Sequence, residues 1–285
     1  MRHEFSLRRR RTAAAVLLAF FSSVMSGCQG TSATASETVT FKNGDLVLHG
    51  LLYRPAGRGP FPVVLFNHGS APGMLNTQAF DAIAPVLTAR GWAFFAPYRR
   101  GQGLSRDAGP YIEDEIMAAR RKGGPSLAAE TMVRLLSTDH LSDQMAALAW
   151  LQSQDFVLPD KIAAMGNSFG GIEVVLGAAQ FGYCAAVDLA GGAETWDLAP
   201  MLRDVMKRAA QSAKSPMLFV QAENDFNLAP SKVLFDTMRA ANLPAEIKIF
   251  PAFGMSAQNG HSFAYRGVSI WRDEVTGFIE RNCAR

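Results

Sequence analysis

Gly166-Asn167-Ser168-Phe169-Gly170 sets a serine between two glycines in the order GxSxG. A serine hydroxyl is a poor nucleophile at neutral pH, so it works only where a base takes its proton and a carboxylate orients that base. His261, in Asn259-Gly260-His261-Ser262, is the only histidine after Ser168, and Asp225, in Glu223-Asn224-Asp225, stands between the two. The expected chemistry is acyl transfer: Ser168 attacks a carbonyl, His261 shuttles the proton and Asp225 fixes the imidazole. The Phe169 N–H then faces the developing oxyanion. Asn67-His68-Gly69-Ser70-Ala71 offers a second donor from the backbone of Ser70 or Ala71.

These residues can meet only if the right elements present them. Ile162 to Met165 reads as a strand directly before the serine and Gly171 to Ala179 as a helix directly after it, the strand-turn-helix setting that GxSxG requires. Asp225 follows a strand over Met217 to Gln221, and His261 lies between a strand over Ile247 to Phe250 and a last helix from about Val268 to Arg281, so all three belong at one end of a sheet. Further strands are expected at Phe61 to Phe66, Trp92 to Ala96 and Ala185 to Leu189. Helices are expected at Gln78 to Arg90, Leu141 to Leu151 and Val233 to Ala241. Thr38 to Phe41 and Leu46 to Tyr53 flank Asn43-Gly44, a tight-turn pair that predicts an antiparallel hairpin. Alternating strands and helices imply a mostly parallel α/β sheet with helices on both faces. Two stretches, 107–140 and 193–215, break the rhythm and are expected as helical insertions over the carboxyl ends of the strands.

The chain order Ser, Asp, His is that of α/β hydrolases. With Asn67-His68-Gly69, Tyr98-Arg99-Arg100-Gly101-Gln102-Gly103-Leu104-Ser105, the GxSxG turn, Glu223-Asn224-Asp225 and Gly260-His261-Ser262-Phe263, the sequence resembles the α/β-hydrolase superfamily and, within it, dienelactone hydrolase-related proteins, from about Leu46 to Ile279. The resemblance implies the α/β-hydrolase fold, a Ser168, Asp225, His261 triad and no cofactor. True dienelactone hydrolases carry cysteine where this chain has Ser168, which favours a general carboxylic-ester or lactone hydrolase acting on a small-molecule ester. A peptidase of the prolyl oligopeptidase type shares these motifs, and a non-catalytic envelope lipoprotein that keeps the fold is a further alternative. Some family members hold a substrate carboxylate with an arginine near Arg99 and Arg100; the same pair could instead anchor its own loop. Trp196 and Phe226 suit either an apolar acyl pocket or core packing.

Composition narrows the partners. Of 28 Lys and Arg, five lie among the first dozen residues; the rest of the chain carries 23 basic against 24 acidic side chains, so it has no excess of positive charge with which to bind nucleic acid. Arg8 to Arg11 precede an apolar run from Ala13 to Met25 and the small residues Ser26-Gly27, the order of an export signal over 1–27. Met25-Ser26-Gly27-Cys28 resembles a bacterial lipobox, which implies lipidation at Cys28, attachment to the outer membrane facing the periplasm, and a polar tether over 28–37 before a domain at 38–285. Cys184 and Cys283 can pair in an oxidising compartment if the fold brings them together. No CxxC, HExxH or histidine cluster suggests a metal.

Overall fold

The computed structural model describes residues 35–70, 75 and 77–284. The expected export signal and Cys28 lie outside the described residues, as does Ala71. Eight strands form one sheet: β1 (Ser36–Asn43), β2 (Leu46–Tyr53), β3 (Phe61–Asn67), β4 (Ala93–Pro97), β5 (Val157–Asn167), β6 (Ala186–Leu189), β7 (Met217–Ala222) and β8 (Ala245–Phe250). Their order is β1-β2-β4-β3-β5-β6-β7-β8, antiparallel from β1 to β4 and parallel from β4 to β8. The hairpin turns at Asn43-Gly44 with Gly44 at φ 58°, so the predicted antiparallel edge is present. Because β1 starts at Ser36, the last two residues of the expected tether belong to the sheet.

Side chains alternate across the strands and are buried on both faces. Val64, Phe66, Phe94, Met165, Val187 and Val220 pack under helices α1 (Gln78–Thr88) and α9 (Val268–Cys283). Val63, Leu65, Phe95, Ile162, Ala164 and Phe219 face the other helical layer, with α3 (Leu141–Gln152), α4 (Phe169–Gln180), α5 (Pro200–Gln211) and α6 (Ala229–Ala240). Each fully buried aliphatic or aromatic side chain contributes about 1.5–3 kcal/mol, so this two-sided core is what holds the strand ends in register. Cys184, just before β6, and Cys283, at the end of α9, are joined by a disulfide with Cα atoms 4.9 Å apart.

The two stretches that broke the sequence rhythm behave differently. Residues 107–140 hold an added helix, α2 (Ile112–Leu135), interrupted at Gly123-Gly124 ahead of Pro125 and continued by a wider turn over Leu136–His140. Its first residues reach the strand ends, as expected. Residues 193–215 are not an added cap. They complete the turn after β6 and then form α5, whose Leu202 and Met206 are fully buried against the core, so most of this stretch is the ordinary crossover to β7. The long turn before Pro200 delayed the helix and gave the appearance of an insertion.

Candidate active site

β5 ends at Asn167 and α4 begins at Phe169, which leaves Ser168 alone in the turn at φ 57° and ψ −120°. A non-glycine residue held in such a conformation costs about 1–3 kcal/mol, so its neighbours must fix it. The Ser168 N–H donates to Leu189 O at 3.1 Å, Asn167 Nδ2 donates to the same carbonyl at 3.0 Å, and the Ile172 N–H donates to Ser168 O at 3.1 Å. A Cβ on Gly170 would run into the Asn67 carbonyl, and one on Gly166 into Gly170 O, so both glycines are required by close backbone approach. That approach seats the loop after β3 on the turn. Phe169 is the first residue of α4; its N–H has no partner one turn earlier in the helix and lies at the positive end of the helix dipole.

The residues expected as orienting carboxylate and base come from the next loops. Asp225 follows β7, and its sealed side chain accepts from Gln221 Nε2 at 2.9 Å through Oδ2 and from the Phe226 N–H at 2.7 Å through Oδ1. Oδ1 also lies 2.9 Å from His261 Nδ1. With Nδ1–H directed at the carboxylate, Nε2 is left as the basic nitrogen. Asn224 ties the two loops together: its Oδ1 accepts from the Phe253 N–H at 2.8 Å, and its Nδ2 donates to Phe253 O and Ser256 O at 3.1 and 2.9 Å. His261 ends the short helix α7 (Ala257–His261), N-capped by Ser256. Helix α8 (Phe263–Arg266) follows at once. The Phe226 ring meets the His261 ring edge-on, centroids 5.3 Å apart, and remains 40% exposed.

Ser168, Asn167, Gly69 and Ser70 line a cavity of about 120 Å³ together with His261, Ser262, Gln258, Tyr265 and Glu194. The structure thus brings together Ser168, His261 and Ser70, with Asp225 directly behind the histidine. The Ser70 hydroxyl donates to Glu113 Oε1 at 2.8 Å and its carbonyl accepts from Tyr111 OH at 3.0 Å, which braces the oxyanion-side loop on the start of α2.

Other expected residues fall elsewhere. Arg99 is buried and paired with Glu173 at 2.8 Å, and Arg100 grips Asp143 through Nε at 3.0 Å and Nη2 at 2.7 Å. Neither lines the cavity, so the anchoring role replaces the substrate-binding one. Trp196, 3% exposed, packs in the core and not in an acyl pocket, because its turn folds it back over Gly192. Sequence reasoning missed Gln221, Glu194, Gln258 and Tyr265. Gln221 alone carried a signal, as a polar residue at the end of a buried strand four positions before the acid.

Behind the turn lies a second polar group with no place on the cavity wall. His68 is buried, its Nδ1 2.7 Å from Gly69 O; burial and the nearby Arg99 guanidinium hold its imidazole well below the usual range. The same causes push His140 down to about 2. Burial raises Glu173 to about 7 against the pull of Arg99, and raises Asp188 to about 7 although the Gly191 N–H donates to its Oδ1 at 2.7 Å.

Residues 48–276 match the dienelactone hydrolase family. The chain belongs to that family. Solved structures share its fold at low identity. The acylaminoacyl peptidase of Pyrococcus horikoshii is 17% identical with a TM-score of 0.64, over 88% of this chain and 42% of that one. Est1E of Butyrivibrio proteoclasticus, solved with ferulic acid bound, is 16% identical with a TM-score of 0.64, over 87% and 100%. The Pyrococcus furiosus esterase Pf2001 is 15% identical with a TM-score of 0.62, over 87% and 93%. The chain therefore spans less than half the length of the peptidase and nearly all of the two esterases.

Proposed function

We propose that this hydrolase cleaves carboxylic esters, lactones included, through a covalent acyl-serine. Ser168 Oγ attacks the carbonyl carbon while His261 Nε2 accepts its proton; the C–O bond to the alcohol breaks and the departing oxygen takes that proton. Water then attacks the acyl-serine, losing a proton to His261, and Ser168 recovers its proton as the acid leaves. Asp225 keeps Nδ1–H in place and stabilises the imidazolium, while the N–H of Phe169 and one from the loop at Ser70 take the oxyanion. The observation that carries the reading is the 2.9 Å contact of His261 Nδ1 with Asp225 Oδ1 on loops that converge on the cavity holding Ser168. The test is turnover of p-nitrophenyl esters of increasing chain length, with labelling of Ser168 by a fluorophosphonate. Hydrolysis of peptide anilides with no ester turnover would instead favour a peptidase.

The disulfide supports a second proposal, that the hydrolase works in an oxidising compartment such as the bacterial envelope, since such bonds are rare where thiols are kept reduced. Lipidation at Cys28 would attach it there. Labelled palmitate should enter the wild-type protein expressed in a Gram-negative host and not Cys28→Ser; an unacylated soluble wild-type product would refute the anchor.

A further inference from the structure

The charges around the cavity are one-sided. Among the described residues that line it, Glu194 is the one carboxylate, and no lysine or arginine joins it. Arg99 and Arg100 are already engaged, with Glu173 and with Asp143 and Asp139, and Arg266, next to Tyr265, is exposed and does not line the cavity. A second carboxylate, Glu113, stands directly behind Ser70. Glu194 is exposed, and among the described residues no cation pairs with it. Its backbone is held in a tight turn, with the Thr195 and Trp196 N–H groups donating to Gly192 O at 3.1 and 2.8 Å, between the buried Ala193 and Trp196. Glu194 therefore lines the cavity on a fixed backbone, with its side chain exposed. The rest of the wall, Ser70, Asn167, Gln258, Ser262 and Tyr265, is polar and uncharged.

We propose that Glu194 sets the charge selectivity of this site, disfavouring esters whose acyl group carries a negative charge and favouring short acyl groups that carry an ammonium. The inference rests on the serine-hydrolase reading given above and names the substrate class of that same site. A carboxylate acting on a unit charge at about 4 Å through water changes binding about fivefold in either direction, and the effect is screened by salt. The cavity, of about 120 Å³, favours a compact acyl group. An ammonium placed there gains the attraction of Glu194 without displacing an existing ion pair, whereas a carboxylate meets repulsion and no compensating cation.

The test compares kcat/KM for three p-nitrophenyl esters: of 4-(trimethylammonio)butyrate, of its uncharged isostere 5,5-dimethylhexanoate, and of glutarate. Intrinsic reactivity cancels when each wild-type value is divided by that of Glu194→Gln, with the uncharged ester as reference. The cation-to-anion ratio should fall about 25-fold in Glu194→Gln, invert in Glu194→Lys, and shrink in wild type as salt is raised. If the uncharged ester is hydrolysed and Ser168 is labelled, yet Glu194→Gln changes all three esters by the same factor, Glu194 is structural and the proposal is overturned. If no ester is turned over and a fluorophosphonate leaves Ser168 unlabelled, the serine-hydrolase reading falls, and this inference falls with it.

Discussion

Two polar assemblies meet at the turn around Ser168, and they differ in what they expose. The first runs from Gln221 through Asp225 to His261 and opens on the cavity. The second, His68, Arg99, Glu173, His140 and Asp188, is sealed behind it, with every member at 3% exposure or less. In the sealed group burial shifts the proton affinities of His68, His140, Glu173 and Asp188, yet no substrate can reach it. Perturbed titration marks burial as readily as it marks catalysis. What distinguishes the first group is a carboxylate that accepts from Gln221 and His261 Nδ1–H, leaving the other imidazole nitrogen free on a cavity that also holds a strained serine.

The comparison can be tested from its strongest consequence downward. Ser168→Ala should lower ester turnover by at least about a thousandfold with an unchanged circular dichroism spectrum, since it removes the nucleophile and leaves the packing alone. Retention of a tenth of the rate would move the chemistry elsewhere. Asp225→Asn should cost about a hundredfold to ten-thousandfold in kcat, less than His261→Ala, because the carboxylate orients the base without itself exchanging the proton.

On the sealed side the loss should be of stability. Glu173→Ala leaves the Arg99 guanidinium buried and unpaired, so denaturant unfolding should report about 3–5 kcal/mol of destabilisation, and the apolar pair Arg99→Met with Glu173→Leu should recover part of it. A drop in kcat in the still-folded fraction of Glu173→Ala, as large as that of Asp225→Asn, would break the distinction between the two assemblies.

The last effect is spread over a range of pH. Burial raises the folded-state Asp188 carboxyl to about 7, so its contribution is fully present below the unfolded value near 4 and is lost as pH rises towards 7. Asp188→Asn removes that loss and keeps an acceptor for the Gly191 N–H. Its stability relative to wild type should rise by up to about 1.4 kcal/mol per pH unit across that window and level off above it. A difference that is flat from pH 5 to 8 in urea melts would show that Asp188 does not titrate there.

Ser168 and Asp225 were legible as candidates in the sequence because each stands just past a strand with an apolar run, and parallel strands put such ends on one edge of the sheet; His261, at the end of the short helix that follows β8, was legible through its order in the chain. The sheet itself was legible for the same reason, down to the turn at Asn43-Gly44. Glu194, Gln258 and Tyr265 were not, because they lie in loops and short helices whose convergence depends on how the elements after β6 and β8 fold back. The Arg99-Arg100 pair misled in the opposite sense: its partners, Glu173 and Asp143, lie 74 and 43 residues away, and only tertiary packing shows that both charges are already spent.

The bond between Cys184 and Cys283 closes a covalent ring over a sequence separation of 99. Asp225 and His261 lie inside that ring, and Ser168 lies outside it. Met255, 98% exposed, sits at the tip of a loop within the ring. A protease that cuts the chain there opens a link without releasing a piece, and the two segments separate on a gel only after a reductant is added. A clipped preparation can thus run at full mass while the loop that carries His261 has lost its continuity.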